Sequence, residues 1–204
     1  MAPLALKPKL LELIKREASR STVDNPGLII AKMNSLCEPD IIRELYAASQ
    51  AGVRIKLVIR GICTLVPGAD GISENITVTS IVDRFLEHSR AFVFHNGGAT
   101  EVFLTSADWM PRNLERRVEL MFPVEQENHK QQVLEDLEIQ LQDNTQAHRL
   151  GQDGRYTRIA VGEGQEAIRS QRTLYEKARL RAESARLEPR QQFSVRRKPP
   201  SGLR

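Results

Sequence analysis

The sequence predicts an α/β fold, a mixed and mostly parallel sheet flanked by helices, followed by a basic tail that is helical or disordered. Three observations point there. Two short apolar runs, Leu28 to Met33 and Val53 to Ile59, bracket a segment with apolar residues at helical spacing, long enough for a parallel crossover. Two further runs, Ala91 to Phe94 and Glu101 to Thr105, flank Asn96-Gly97-Gly98, a hairpin turn. Beyond Ala147 the apolar periodicity gives way to Gly, Arg, Glu, Ala and Gln.

Each element has its own local signal. From Pro8 to Arg20, Leu10, Leu13, Ile14 and Ala18 recur at helical spacing, and Asp24-Asn25-Pro26-Gly27 ends the helix. In the crossover Pro39 suits a first helical turn, Ile41, Ile42, Leu45 and Ala48 form the buried stripe, and Gly52 stands at a C-terminal cap. After the turn-rich Pro67 to Gly71 comes a short run, Ile76 to Thr79. A helix is then expected over Ser80 to His88, with Ser80 and Asp83 as a capping box and Ile81, Val82, Phe85 and Leu86 buried. Val118 to Val124 reads as a strand, and Val133, Leu134, Leu137 and Leu141 mark a helix over Glu127 to Asp143. Residues 1–148 are therefore expected to form the domain and 149–204 the tail, with a solvated helix over Glu166 to Leu187 and disorder around Pro199-Pro200.

Composition narrows the function classes. With 40% hydrophobic and 27% charged residues, the chain sits near the average for a globular protein in water. No stretch approaches the roughly 20 apolar residues of a membrane span, and Pro3, Lys7, Pro8 and Lys9 interrupt any signal-type core, so a cytosolic protein, at most peripheral to a membrane, is expected. Cys37 and Cys63 lack metal-ligand spacing and read as reduced, buried thiols. The basic pI belongs to the tail: residues 149–204 hold 14 Lys and Arg against 6 Asp and Glu, while residues 1–148 hold 16 against 20. An acidic body argues against a broad nucleic-acid face but leaves room for a pocket with a few placed arginines.

Polar groups directly after apolar strands are the candidates for chemistry, since open α/β sheets present their sites at strand ends. Arg60-Gly61 follows the apolar Leu57-Val58-Ile59, and its guanidinium fork suits phosphate, unless it merely leaves the strand at the surface. In His88-Ser89-Arg90 the histidine can move a proton near neutral pH or accept a phosphoryl group; the plainer reading is a charge at a helix end. Thr105-Ser106-Ala107-Asp108-Trp109 offers an anion site before Pro111, and Asn113 and Arg117, four apart, would share a helical face. Ser106 and Asp108 have the plainer roles of cap and turn residue.

Their order is more specific than any one of them: His-x-Arg, a hairpin, Ser-Ala-Asp, then Asn-x-x-x-Arg-x-Glu. This resembles the phospholipase D superfamily signature, in which His-x-Lys precedes Gly-Ser-x-Asn, and so implies a phospholipase-D-like domain. The blocks at residues 2–17, 45–68, 80–98 and 102–124 are more closely similar to the last domain of the polyphosphate kinase family. That resemblance implies reversible transfer of the γ-phosphoryl group of ATP to a polyphosphate chain, with Mg2+ and a phosphohistidine. It matches Arg60 to a nucleotide-contacting arginine, His88 to a second essential histidine, Arg117 to a tunnel arginine, and Arg90 to the superfamily lysine. The superfamily's acidic residue is replaced by His95. The catalytic residues implied are His88 and Arg117, and the ATP and phosphate ligands Arg60, His88, Arg90, Ser106 and Asn113; no metal ligand is implied within the chain. The phosphorylated histidine and the Mg2+-binding residues precede these blocks in the family. The chain is thus expected to hold part of a site and to partner with the missing N-terminal part or with further copies of itself, binding ATP, ADP and polyphosphate but no specific nucleic acid. Alternatives from other classes are a non-catalytic polyanion-binding module and a homodimeric phosphodiesterase.

Overall fold

The computed structural model describes residues 1–187; the expected disorder around Pro199-Pro200 lies outside the described residues. Along the chain run α1 (Leu6–Arg20), β1 (Leu28–Met33), α2 (Pro39–Gln50), β2 (Arg54–Ile59), β3 (Ile76–Ile81), β4 (Ala91–Phe94), β5 (Glu101–Thr105), α3 (Pro111–Arg116), β6 (Met121–Pro123), α4 (Glu127–Leu141), β7 (Ala147–Leu150), β8 (Tyr156–Arg158) and α5 (Ser170–Leu187). The strands form one sheet in the order β6-β5-β4-β1-β2-β3-β7-β8.

Alternation along the strands divides the core. Ile29, Ala31 and Met33, with Ile55, Leu57, Ile59, Phe92 and Phe94, face the layer of α1 and α2, where Leu10, Leu13, Ile14, Ile41 and Leu45 are fully buried. On the opposite face Ile30, Val93 and Val102 meet Val133, Leu134 and Leu137 of α4, and Val58, Ile81 and Ala147 extend that layer towards Leu141. The sheet is thus buried between two helical layers.

The sheet is mostly antiparallel, which corrects the mostly parallel arrangement expected from the sequence. β1–β2 and β2–β3 run parallel, whereas β1–β4, β4–β5, β5–β6, β3–β7 and β7–β8 run antiparallel. The cause lies in the connection after β3. A parallel return needs a crossover of a dozen or more residues, but Val82 to Arg90 stays at the end of the sheet where β3 finishes and passes over β2 and β1 to reach β4. β4 can only run back, and the Asn96 to Gly98 turn then imposes the antiparallel β5.

The helix expected over Ser80 to His88 is likewise absent. Thr79, Ser80 and Ile81 are held in β3 by pairing with Arg149, His148 and Ala147, and Val82, Phe85 and Leu86, expected to be buried, are exposed. Residue 148, the expected boundary between domain and tail, lies inside β7. Asp143 fixes the start of the following segment: its Oδ1 accepts from the backbone N–H of Thr145, Gln146 and Ala147 at 2.8–3.2 Å, and its Oδ2 from the N–H and hydroxyl of Ser170 at 2.8 and 2.7 Å. One carboxylate therefore ties together the end of α4, β7 and the start of α5. Among the described residues no helix is long and apolar enough to cross a membrane. Cys37 and Cys63 are free and half-buried, and burial raises both thiol pKa values.

Candidate functional site

The carboxyl ends of β1, β2 and β5 and the start of β4 meet at one end of the sheet, bringing together residues from four parts of the chain. Asp108, just past β5, is buried and organises them. Its Oδ1 accepts from the backbone N–H of Asn34 at 2.7 Å, from Asn34 Nδ2 at 3.1 Å and from Arg90 Nε at 2.8 Å, while Oδ2 accepts from Arg90 Nη2 at 3.1 Å. Burial pushes this carboxyl up, but Arg90 and Asn34 together hold it below the ordinary carboxylate value. The turn residue of the plain sequence reading is the anchor of the site.

Arg90 in turn addresses His88: Nη1 donates to the His88 carbonyl at 3.2 Å and Nη2 lies 3.5 Å from its Nε2. His88 itself is exposed. Arg60 is aimed by its Nε, which donates to Asn34 Oδ1 at 2.7 Å and to the carbonyl of Glu87, the residue before His88, at 3.1 Å. Among the described residues its two terminal nitrogens have no hydrogen-bond partner. Gly61 is needed for a different reason than approach to a ligand: its N–H donates to Asn34 O at 2.9 Å, and a Cβ there would lie 2.8 Å from that oxygen. The glycine lets the end of β2 close on Asn34.

Beneath these groups Lys32, on the α4 face of β1, is 3% exposed and pairs with Glu87 at 3.2 Å. Burial pushes its ammonium pKa down; Glu87 opposes this, while the positive charges of Arg60 and Arg90 add to the depression. Three cations therefore converge against two carboxylates, leaving positive potential beside His88. A small cavity lined by Lys32, Arg60, Glu87 and Gln140 continues into an open groove of about 310 Å³ between Arg60 and the 82–87 backbone.

Ser106 and Asn113 form a neighbouring group around buried Glu119. Ser106 Oγ hydrogen-bonds Glu119 Oε2 and also accepts from Leu120 N–H at 3.1 Å, and Asn113 Nδ2 donates to Glu119 Oε1 at 2.7 Å. The helical face expected for Asn113 and Arg117 is not formed, because α3 ends at Arg116 and Arg117 is extended (φ −121°, ψ 157°) and exposed. His95 lies at the far end of β4, its Nε2 3.0 Å from Asn25 Oδ1. Of the residues named from the sequence, the structure brings Arg60, His88 and Arg90 to one end of the sheet, beside Lys32, Asn34 and Glu87, which the sequence reading did not name. A lysine inside Leu28-Ile29-Ile30-Ala31-Lys32-Met33 was the available signal.

This arrangement defines a class: an α/β domain with a His-x-Arg segment laid over the strand ends and tied to an aspartate after the next hairpin. NucT from Helicobacter pylori shares the fold, with a TM-score of 0.50 at 13% identity over 67% of this chain and 89% of that one. Within the class the assignment is narrower. The family model "Polyphosphate kinase C-terminal domain 2" matches residues 1–171, and the chain belongs to that family. A polyphosphate kinase from Pseudomonas aeruginosa is 53% identical over 176 residues, covering 86% of this chain and 26% of the relative. The crystal structure of polyphosphate kinase from Porphyromonas gingivalis superposes with a TM-score of 0.83 at 40% identity, over 88% of this chain and 27% of that one. The chain thus spans about a quarter of the length of these relatives.

Proposed function

We propose that this chain supplies the phosphate-handling part of a polyphosphate kinase, the enzyme class that moves the terminal phosphoryl group of ATP reversibly onto inorganic polyphosphate. The observation that carries the reading is the Arg60 guanidinium, oriented through Nε by Asn34 and by the carbonyl of Glu87, the residue before His88, with its outer nitrogens free of hydrogen-bond partners among the described residues. Phosphoryl transfer gains most from positioning and from neutralising the charge spread over the equatorial oxygens, which is work for such a fork. Arg60 binds the non-bridging oxygens of the transferring phosphate, His88 hydrogen-bonds or protonates an oxygen of the leaving phosphate, and Arg90 orients His88 rather than meeting substrate first. Arg117 reaches the polyphosphate from the rim. Ser106 and Asn113 contribute through Glu119, which holds the loop after β5.

The family implies Mg2+, but the residues present do not fit an ion of their own. Among the described residues no group of three or more His, Cys, Asp or Glu converges, and Asp108 and Glu87 are committed to Arg90 and Lys32. The ion's ligands, with the phosphohistidine, are assigned to the remainder of the enzyme. ATP, ADP and polyphosphate are the proposed partners, together with that remainder or another copy of the chain.

Titration calorimetry of the full chain with ATP and with inorganic tripolyphosphate tests this. Both should bind, and Arg60→Ala should weaken them by ~1.5–3 kcal/mol, the worth of a charged hydrogen bond, with little change in stability. Incubation with γ-labelled ATP should leave the chain unlabelled. Unchanged affinity in folded Arg60→Ala removes Arg60 from the site, and acid-labile label on His88 would show that the chain needs no second histidine.

A further inference from the structure

The segment Val82 to Arg90 carries His88 across the sheet end without helix or strand of its own, so something else must hold it. Gln171, in the first turn of α5, pairs with Phe85 much as a neighbouring strand would. Its Nε2 donates to the Phe85 carbonyl and its Oε1 accepts from the Phe85 N–H, both at 2.8 Å. The second Nε2 hydrogen reaches Glu87 Oε1 at 2.9 Å, so both N–H groups and the carbonyl oxygen of the amide are engaged. Glu87 Oε2 takes Lys32 Nζ and Gln140 Nε2, each at 3.2 Å. Gln171 is 6% exposed, and its helix is anchored next door by Ser170 on Asp143 and by Arg169 Nε on Asp83 Oδ2 at 2.8 Å. The residue before His88 is thus gripped from β1, α4 and α5 together, while His88 is exposed.

We infer that Gln171 is a positioning residue for His88, acting through Phe85 and Glu87, and that the first turn of α5 belongs to the functional unit. The inference rests on His88 being the phosphate-handling histidine. Immobilising a loop by buried hydrogen bonds removes conformational freedom whose loss phosphate binding would otherwise have to offset. Surface ion pairs further along α5, such as Arg181 to Glu135, are exposed and fix the helix only weakly.

The test compares the full chain with Gln171→Met, which keeps the side-chain length and removes all three hydrogen bonds, and with Arg172→Ala as a neighbouring control. Amide hydrogen exchange over 85–90 should quicken about tenfold in Gln171→Met, with β1 and β2 amides unmoved, because a local opening has become easier. The response of the His88 ring signals to inorganic tripolyphosphate should shift to about threefold to tenfold higher concentration. Arg172→Ala should do neither. Exchange and titration matching the wild type in folded Gln171→Met would overturn the inference. Should Gln171→Met fail to fold, Gln171→Glu takes its place: its carboxylate still accepts from the Phe85 N–H but cannot donate to the Phe85 carbonyl or to Glu87, so both readouts should change in the same direction, and wild-type exchange and titration in folded Gln171→Glu also sink the idea. If His88 in the wild type ignores tripolyphosphate, the reading of His88 falls instead, and the exchange data alone decide whether Gln171 holds the segment.

Discussion

Two buried carboxylates, Asp143 and Asp108, have nearly the same exposure and opposite surroundings. Asp143, 1% exposed, accepts from four backbone N–H groups and one serine hydroxyl, all neutral donors that belong to chain ends needing to be held. Asp108, 7% exposed, takes Arg90 and Asn34, which in turn contact His88 and Arg60. The first spends its charge on closing the fold. The second divides its charge with a cation, and the cations around it exceed the anions. A buried carboxylate is therefore informative through its partners rather than its burial.

Substitution should separate the two carboxylates. Asp143→Ala leaves several buried N–H groups without acceptors at once, so urea unfolding should show a loss of about 3 kcal/mol or more. Asp108→Asn keeps the shape and the bond to Asn34, and should lose only about 1–2 kcal/mol. It also removes a negative charge beside the anion site, so tripolyphosphate should bind about threefold to tenfold more tightly in calorimetry at low salt. A larger stability loss for Asp108→Asn than for Asp143→Ala would reverse the assignment of roles.

Acid sharpens it further. Both carboxyls titrate below their ordinary value of 3.8, Asp143 because its backbone and Ser170 hydrogen bonds outweigh the upward push of burial, Asp108 because Arg90 and Asn34 do. A depressed folded-state pKa gives stability that is complete above the unfolded value and is lost as pH falls through the folded one. The thermal midpoint should be flat between neutral pH and about 5, then drop as pH falls below about 4, and Asp143→Ala should have a shallower acid limb than the wild type. An equally steep limb in that variant would place the acid-labile charge elsewhere. The smallest effect belongs to Arg172→Ala, whose exposed pair with Glu176 at 2.9 Å should be worth no more than about 0.5 kcal/mol by the same urea titration.

Elements that bury a face of their own were legible. The stripe Ile41, Leu45 and Ala48, the run Leu28 to Met33 and the Asn96-Gly97-Gly98 turn each fix a local geometry, and the structure repeats all three. The segment Val82 to Arg90 was not, because Ile81, Val82, Phe85 and Leu86 imitate helical spacing while the hydrogen bonds that decide its path come from Lys32, Arg60 and Gln171, far away in sequence. Sheet direction was lost with it, since that one connection sets β4 antiparallel. At the site, motif order brought Arg60, His88 and Arg90 into view; Asn34 and Glu87 carry no local pattern and appear only when the strand ends are put side by side.

The path of that connection also bears on when the site comes into being. Asn34 and Asp108 are 74 residues apart, and Gln171 follows Phe85 by 86, so the contacts that hold the His88 segment in place join parts of the chain distant in sequence. Closing such long loops costs entropy before any contact repays it, whereas β1, α2 and β2 can gather early. A chain leaving the ribosome would carry Lys32 and Arg60 in an otherwise apolar sheet long before their counter-charges and the start of α5 arrive. In refolding followed by pulsed hydrogen exchange, amides of β1 and β2 should be protected first and those of Glu87 to Arg90 last, so that the chain acquires its anion-binding character only as folding completes.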